Sequence, residues 1–109
     1  MPKYKIAGAT STPEKATSST SLVSSLNPST HGASVTFTAT VTSTASIPPG
    51  MVTFKDGTIT LGTGTLSSGK ATFSTSALSI GTHSITAVYG ATTNFSSSTS
   101  AVLSQVVNL

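Results

Sequence analysis

Hydrophobic and hydroxyl-bearing residues alternate one by one through residues 34–42, the clearest segment of the chain. The odd positions are Val35, Phe37, Ala39 and Val41, and every even position is a serine or a threonine. Successive side chains of a β-strand point to opposite faces, so this alternation predicts a strand with one buried face and one solvated face. The many β-branched side chains also favour a strand over a helix.

The same period of two recurs in short segments that are separated by turn-forming residues. Asp56-Gly57 predicts a hairpin, because glycine readily adopts positive φ. Gly62 and Gly64 interrupt the apolar stretch that follows, and Gly81 forms a corner. The predicted strands lie at residues 21–24, 34–42, 51–55, 59–66, 70–74, 83–89 and 101–107. About seven short strands and no helical segment predict an all-β fold, a sandwich or barrel.

The register of the last strand stays open at this point. In residues 101–107, either Leu103 and Val107 or Val102 and Val106 face inward. Both alternatives satisfy a period of two.

Residues 1–18 form a polar leader or linker, and residues 19–109 form the folded domain. Residues 10–18 contain no apolar side chain larger than alanine and include turn formers, which is typical of linkers. Within the leader, Tyr4 and Ile6 alternate with lysines, which is the pattern of a short strand. The start of the chain carries positive charge without a following apolar stretch, so no signal peptide is predicted.

Composition narrows the function classes. Serine and threonine fill 43 of the 109 positions, charged residues make up 6%, and the chain contains no cysteine. Disulfides, zinc–thiolate sites and cysteine nucleophiles are therefore excluded. The net charge of +3 reflects a shortage of acids, and the five lysines are scattered. Nucleic-acid binders cluster their basic residues, so no nucleic-acid partner is expected. The apolar runs are too short for membrane insertion.

The titratable residues are too few to suggest an enzyme. The chain has one aspartate, one glutamate and two histidines, with Glu14 in the leader and Asp56 in a turn. General acid–base catalysis needs two such groups close together. A metal site built from His31, His83 and Asp56 would offer fewer ligands than calcium or zinc prefers. We therefore expect no catalytic residue, no metal, no cofactor and no small-molecule substrate.

Several spaced motifs together resemble a known family. They are Asn27-Pro28-Ser29, Gly32-x-Ser34-Val35-Thr36-Phe37-Thr38-Ala39, Gly50-x-Val52-Thr53-Phe54-x-Asp56-Gly57, Leu61-Gly62, Gly69-x-Ala71-x-Phe73 and Leu78-x-x-Gly81-x-His83-x-Ile85-x-Ala87-x-Tyr89. From about residue 18 onward, the chain resembles the bacterial Ig-like domains of the group 3 type, which form tandem repeats in exported and cell-surface proteins. It departs from them after Gly90, where the family often has an aspartate and this chain has Ala91.

The resemblance implies an immunoglobulin-like β-sandwich of two antiparallel sheets without a disulfide. By position, Ala39 and Ile85 stand where antibody domains place their cysteines, and Phe54 stands where they place tryptophan. His83 occupies the place of the tyrosine corner, where a ring nitrogen bonds a backbone carbonyl. The expected core and structural residues are Phe37, Ala39, Phe54, Phe73, His83, Ile85 and Tyr89.

The sequence also raises the possibilities of a side-chain crosslink, an ice-binding face and a glycosylation site. An isopeptide bond would join Lys70 to Asn94 or Asn108, but it lacks a buried acid, and an ester bond would join a threonine to Gln105. The row of threonines at residues 36–42 could present an ice-binding face, although threonine is also the ordinary polar residue of a solvated strand. Asn94 begins a glycosylation acceptor sequence, and Phe95 is expected to plug the core.

Two hypotheses for function follow. The first is a passive spacer or stalk module of an extracellular or cell-surface protein, whose partners are neighbouring Ig-like domains or subunits. The second is an assembly module in which Tyr4 and Ile6 add a strand to a neighbouring subunit. Adhesion to an unknown receptor or carbohydrate is a further alternative.

Overall fold

A computed structural model describes residues 15–109, and in this range every regular element is a β-strand. The strands are β1 (Ser19–Ser24), β2 (Ser29–Thr30), β3 (Val35–Thr42), β4 (Met51–Asp56), β5 (Ile59–Thr65), β6 (Lys70–Thr75), β7 (Gly81–Tyr89), β8 (Ser98–Thr99) and β9 (Leu103–Asn108).

The strands form two sheets. One has the order β1-β3-β6, and the other has the order β2-β9-β7-β4-β5, with β8 paired to β7. Every pair of strands is antiparallel except β2 and β9, which are parallel. The predicted all-β sandwich of two sheets is confirmed. The strand count is nine rather than about seven, because β2 and β8 have two residues each and are too short to show an alternating pattern.

The core lies between the two sheets and follows from the alternation. In β3 the four odd-numbered residues are buried, while the threonines between them are half-buried or exposed. The ring of Phe54 on β4 stacks on the ring of Phe73 on β6, with centroids 5.8 Å apart. The buried apolar residues are Val35, Phe37, Ala39, Val41, Val52, Phe54, Ala71, Leu78, Ile85, Ala87, Tyr89, Phe95 and Val107.

The structure resolves the register of the last strand. Val107 is buried and Leu103 is half-buried, whereas Val102 lies outside the strand and is 61% exposed. The same register turns Gln105 inward, where its exposed fraction is 0%.

Strand β5 runs through Gly62 and Gly64, as the predicted strand at residues 59–66 requires, and its pairing with β4 shifts register beside Gly62. Both glycines let β5 lie close against β6 of the opposite sheet. A Cβ built on Gly62 would lie 2.5 Å from Cε1 of Phe73, and one built on Gly64 would lie 3.0 Å from the carbonyl oxygen of Thr72. Here glycine reflects a close approach of two chain segments rather than a turn.

The first and last described segments of the chain run side by side in the same direction. Ala16 forms a parallel bridge with Phe95. Further along, Thr30 of β2 lies opposite Asn108 of β9. The chain therefore enters the sandwich at one end and leaves it at the opposite end. Within the described residues, hydrogen bonding to the sandwich is already present at Ala16, and the domain boundary expected at residue 19 stays a prediction.

Candidate functional site

A charged pair at one end of β4 and β7 joins Asp56 and His83. Asp56 ends β4, and His83 lies on the inward-facing side of β7. The His83 Nδ1 atom is 2.5 Å from the Asp56 carboxylate oxygen Oδ2, and its Nε2 atom is 2.7 Å from the carbonyl oxygen of Ser79. The side chains of His83 and Asp56 are 12% and 23% exposed. The histidine thus ties the loop before β7 to the end of β4.

Both partners of His83 favour its protonated ring. A carbonyl and a carboxylate only accept hydrogen bonds, so a ring that bonds both of them must donate from both nitrogens. The bond to the Ser79 carbonyl raises the pKa of His83 above its ordinary value of 6.5, partial burial lowers it, and the bond and charge of Asp56 raise it further. The net direction is upward.

This arrangement holds a loop in place but leaves no ring nitrogen free. A histidine acting as a general base needs an unoccupied nitrogen that faces a substrate. Within residues 15–109, no group of three histidine, cysteine, aspartate or glutamate side chains is placed to hold a metal ion. The carbonyl bond of His83 was expected from its position in the sequence. The bond to Asp56 was not, because it depends on how β4 and β7 align.

The His83 pair should make stability depend on pH. A raised pKa means that the contribution is fully present below about pH 6.5 and is lost as the pH rises through the pKa of the folded state. We expect the urea midpoint to be highest below about pH 6.5 and to fall as the pH is raised above that value. His83→Gln should remove most of this fall, and His31→Gln should keep it. An unchanged pH dependence in His83→Gln would contradict the assignment.

The other residues singled out from the sequence lie in the core, with one exception. Phe37, Ala39, Phe54, Ile85 and Tyr89 each have an exposed fraction of 0%. Phe73 is half-buried and packs against this core.

Tyr89 combines a buried ring with a satisfied hydroxyl. Its hydroxyl donates to the carbonyl oxygen of Pro49, 2.6 Å away, in the loop before β4. The candidate donor-strand residues Tyr4 and Ile6 lie outside the described residues, and strand donation by them stays a prediction.

Gln105 is a buried polar residue whose structural role the sequence analysis did not predict. Its Oε1 atom accepts a hydrogen bond from the Ser24 hydroxyl at 2.6 Å. Its Nε2 atom donates to the carbonyl oxygen of Leu26 at 2.7 Å and lies 3.3 Å from the Ser29 hydroxyl. Its position between Leu103 and Val107 in a period of two would have indicated that Gln105 faces the core. That inference requires the register of the last strand, which the sequence left open.

The structure also places the candidate crosslinking residues. The hydroxyls bonded to Gln105 belong to serines rather than to a threonine. The Nζ atom of Lys70 lies 3.4 Å from the Thr40 hydroxyl. The backbone carbonyl of Asn94 accepts a hydrogen bond from Ala16. Phe95 is 4% exposed and lies in the core.

The outer face of the three-stranded sheet is rich in hydroxyl groups. Thr36 on β3 bonds the Ser74 hydroxyl on β6 at 2.7 Å. Near the end where the chain enters, Val41, Ile47, Pro48 and Gly69 help to line a shallow hollow of about 130 Å³ that has no titratable side chain in its wall.

Comparisons with known proteins agree with this architecture. A family model described as "Bacterial Ig-like domain (group 3)" matches residues 22–108. No curated protein and no solved structure matches the chain significantly. No helix within the described residues has the length and apolar character that a membrane crossing requires.

Proposed function

Because the chain belongs to the bacterial Ig-like domains of group 3, we propose that it is a non-enzymatic structural module, a spacer or stalk segment of an exported or cell-surface protein. Its partners in this role are neighbouring domains of the same kind, and the role needs no cofactor. The family supports a structural module, and the spacer role rests on the geometry of the chain ends.

The observation that carries the spacer role is the placement of those ends. Ala16 and Phe95 pair at the end where the chain enters, and Thr30 and Asn108 pair at the end where it leaves. Domains joined through opposite ends extend into a string, whereas domains whose termini share one end fold back on each other. Each sandwich would therefore add its full length to the array.

The surface also suits a spacer. Hydroxyl groups dominate the solvated faces of the strands, and the lysines are few and scattered. Such a surface is solvated without strong attraction to charged partners.

Small-angle scattering of a chain that contains two tandem copies of the full sequence tests this proposal. We expect an elongated particle whose maximum dimension approaches twice that of a single copy. A single copy measured under the same conditions is the control. A compact particle only slightly longer than one copy would contradict the spacer role.

A further inference from the structure

Strand β5 forms one edge of the larger sheet. In the order β2-β9-β7-β4-β5 it is the last strand, and among the strands of residues 15–109 it pairs with β4 alone. The outer side of such a strand presents a row of backbone amide and carbonyl groups to which a further strand can bind. Folded proteins usually protect an edge of this kind with a lysine, a proline, a very short strand or a covering segment.

The other edges of the two sheets carry such protection, whereas β5 does not. Strand β2 has two residues, and β6 begins with the exposed Lys70. Beside β1, the hydroxyls of Ser18 and Thr20 bond the hydroxyl of Ser98 on β8, which covers that edge. The seven residues of β5, Ile59–Thr65, include no charged residue and no proline. Strand β5 is therefore a long edge that nothing in its own sequence keeps from pairing.

The second half of β5 is complementary to itself. Leu61 has no partner on β4, and the pairing is regular across residues 62–65. Thr63 has a glycine on each side. If two copies pair antiparallel with Thr63 at the centre, Thr63 faces Thr63, and Gly62 of each copy faces Gly64 of the other. Facing threonines are a favourable cross-strand pair, and no like charges meet.

The orientation of these side chains suits the same pairing. Gly62 lies opposite Phe54, and Gly64 lies opposite Val52. Both β4 residues are buried, so the glycines face the core and Thr63 faces the other way, where it is exposed. Two β5 strands can therefore meet without any side chain of Gly62 or Gly64 between them, and the side chains that meet at the centre are solvated hydroxyls.

We propose that β5 is a docking edge for a second copy of this chain, with the two β5 strands antiparallel about a twofold axis at Thr63. Backbone hydrogen bonds across the axis join the two larger sheets into one continuous sheet. A contact of this kind uses the same surface on both copies and closes at two. The inference goes beyond the spacer role and does not depend on it. In an array of domains, the docking edge would bind two strings side by side in opposite directions.

Sedimentation velocity of the full chain, over a concentration series up to about 1 mM, tests the docking edge. We expect a monomer–dimer equilibrium. Thr63→Lys sets two lysines opposite each other at the axis and should weaken the dimer at least about tenfold. Ser21→Lys adds the same charge at an exposed position of β1, in the other sheet, and should leave the dimer unchanged. A monomer at every concentration, or an equal loss in both variants, would overturn the proposal.

Disulfide crosslinking tests the register without adding charge. The chain contains no cysteine, so one introduced cysteine reports only contact between copies. Facing residues of antiparallel strands have Cα atoms about 4.5–5.5 Å apart, which a disulfide can bridge. We expect Thr63→Cys to form a covalent dimer on mild oxidation. Thr60→Cys is the matched control, because three residues on each side of the axis separate its two copies by about 20 Å. A Thr63→Cys variant that crosslinks no faster than Thr60→Cys would overturn the pairing. If Thr63→Lys lowers the urea midpoint, this comparison decides.

Discussion

Replacing Gly62 by alanine lowers the free energy of unfolding by about 1–3 kcal/mol. The new Cβ would lie 2.5 Å from Cε1 and 2.9 Å from Cδ1 of Phe73. The Phe73 ring cannot retreat freely, because it stacks on the fully buried ring of Phe54. Either the ring leaves its place against the core or β5 moves away from β6, and both movements weaken the contact between the sheets.

Urea denaturation of Gly62→Ala measures this loss, and Gly90→Ala is the matched control. A Cβ on Gly90 meets no atom within 4 Å. We expect the control to change stability by no more than about 0.5 kcal/mol, as exposed substitutions usually do. Equal stability of Gly62→Ala and Gly90→Ala would show that β5 and β6 are less tightly packed than described.

Replacing Gln105 by leucine lowers the free energy of unfolding by about 2–4 kcal/mol, although leucine is apolar and has a similar volume. The loss in stability comes from the hydrogen-bonding partners of Gln105, which leucine cannot satisfy. The Leu26 carbonyl and the Ser24 and Ser29 hydroxyls all lose a partner. The cost of such unpaired groups exceeds the gain from a more apolar side chain.

Thermal and urea unfolding of Gln105→Leu check this prediction, with Ser104→Ala as the control on the same strand. Ser104 is exposed, and it is its backbone carbonyl that accepts the hydrogen bond from the Asn27 side chain. The control should stay within about 0.5 kcal/mol of the unaltered chain. A Gln105→Leu variant that is as stable as the control would mean that the buried amide contributes nothing to the fold.

The alternation of residue types was sufficient to predict the longer strands but not how the strands pair. Strand β3 shows why: its odd positions are buried in the core, and its even positions are half-buried or exposed on the other face, as a period of two requires. By contrast, β2 and β8 exist because they pair with β9 and β7. Two residues carry no period, so strands this short cannot be found from one sequence.

The side-chain hydrogen bonds could not be predicted from the sequence either, because they also depend on how distant strands pair. Asp56 and His83 are 27 positions apart, and Ser24 and Gln105 are 81 apart. Their contact depends on the alignment of strands that are distant in sequence. A shift of a single residue would turn either partner to the other face of its sheet. Local pattern cannot encode that choice, although it identified the strands of Ser24, His83 and Gln105. It placed Asp56 in a turn, whereas Asp56 is the last residue of β4.

Glycine illustrates a different limit. At Gly57 the sequence correctly indicated a turn, and the residue has a φ of 61° between β4 and β5. At Gly62 the same residue type lies inside a strand, because Phe73 of the opposite sheet occupies the space that a side chain would need. Both uses look alike in the sequence, since one depends on local backbone geometry and the other on a neighbour across the sandwich.

The central claim is that the chain crosses the sandwich from one end to the other. The distance between spin labels at Lys15→Cys and Leu109→Cys tests it most directly. The account predicts a single distance distribution centred above about 30 Å, the length of a nine-residue strand such as β7 at about 3.3 Å a residue. A distribution centred below about 15 Å, the width of three neighbouring strand spacings, would place both termini at the same end and contradict the account.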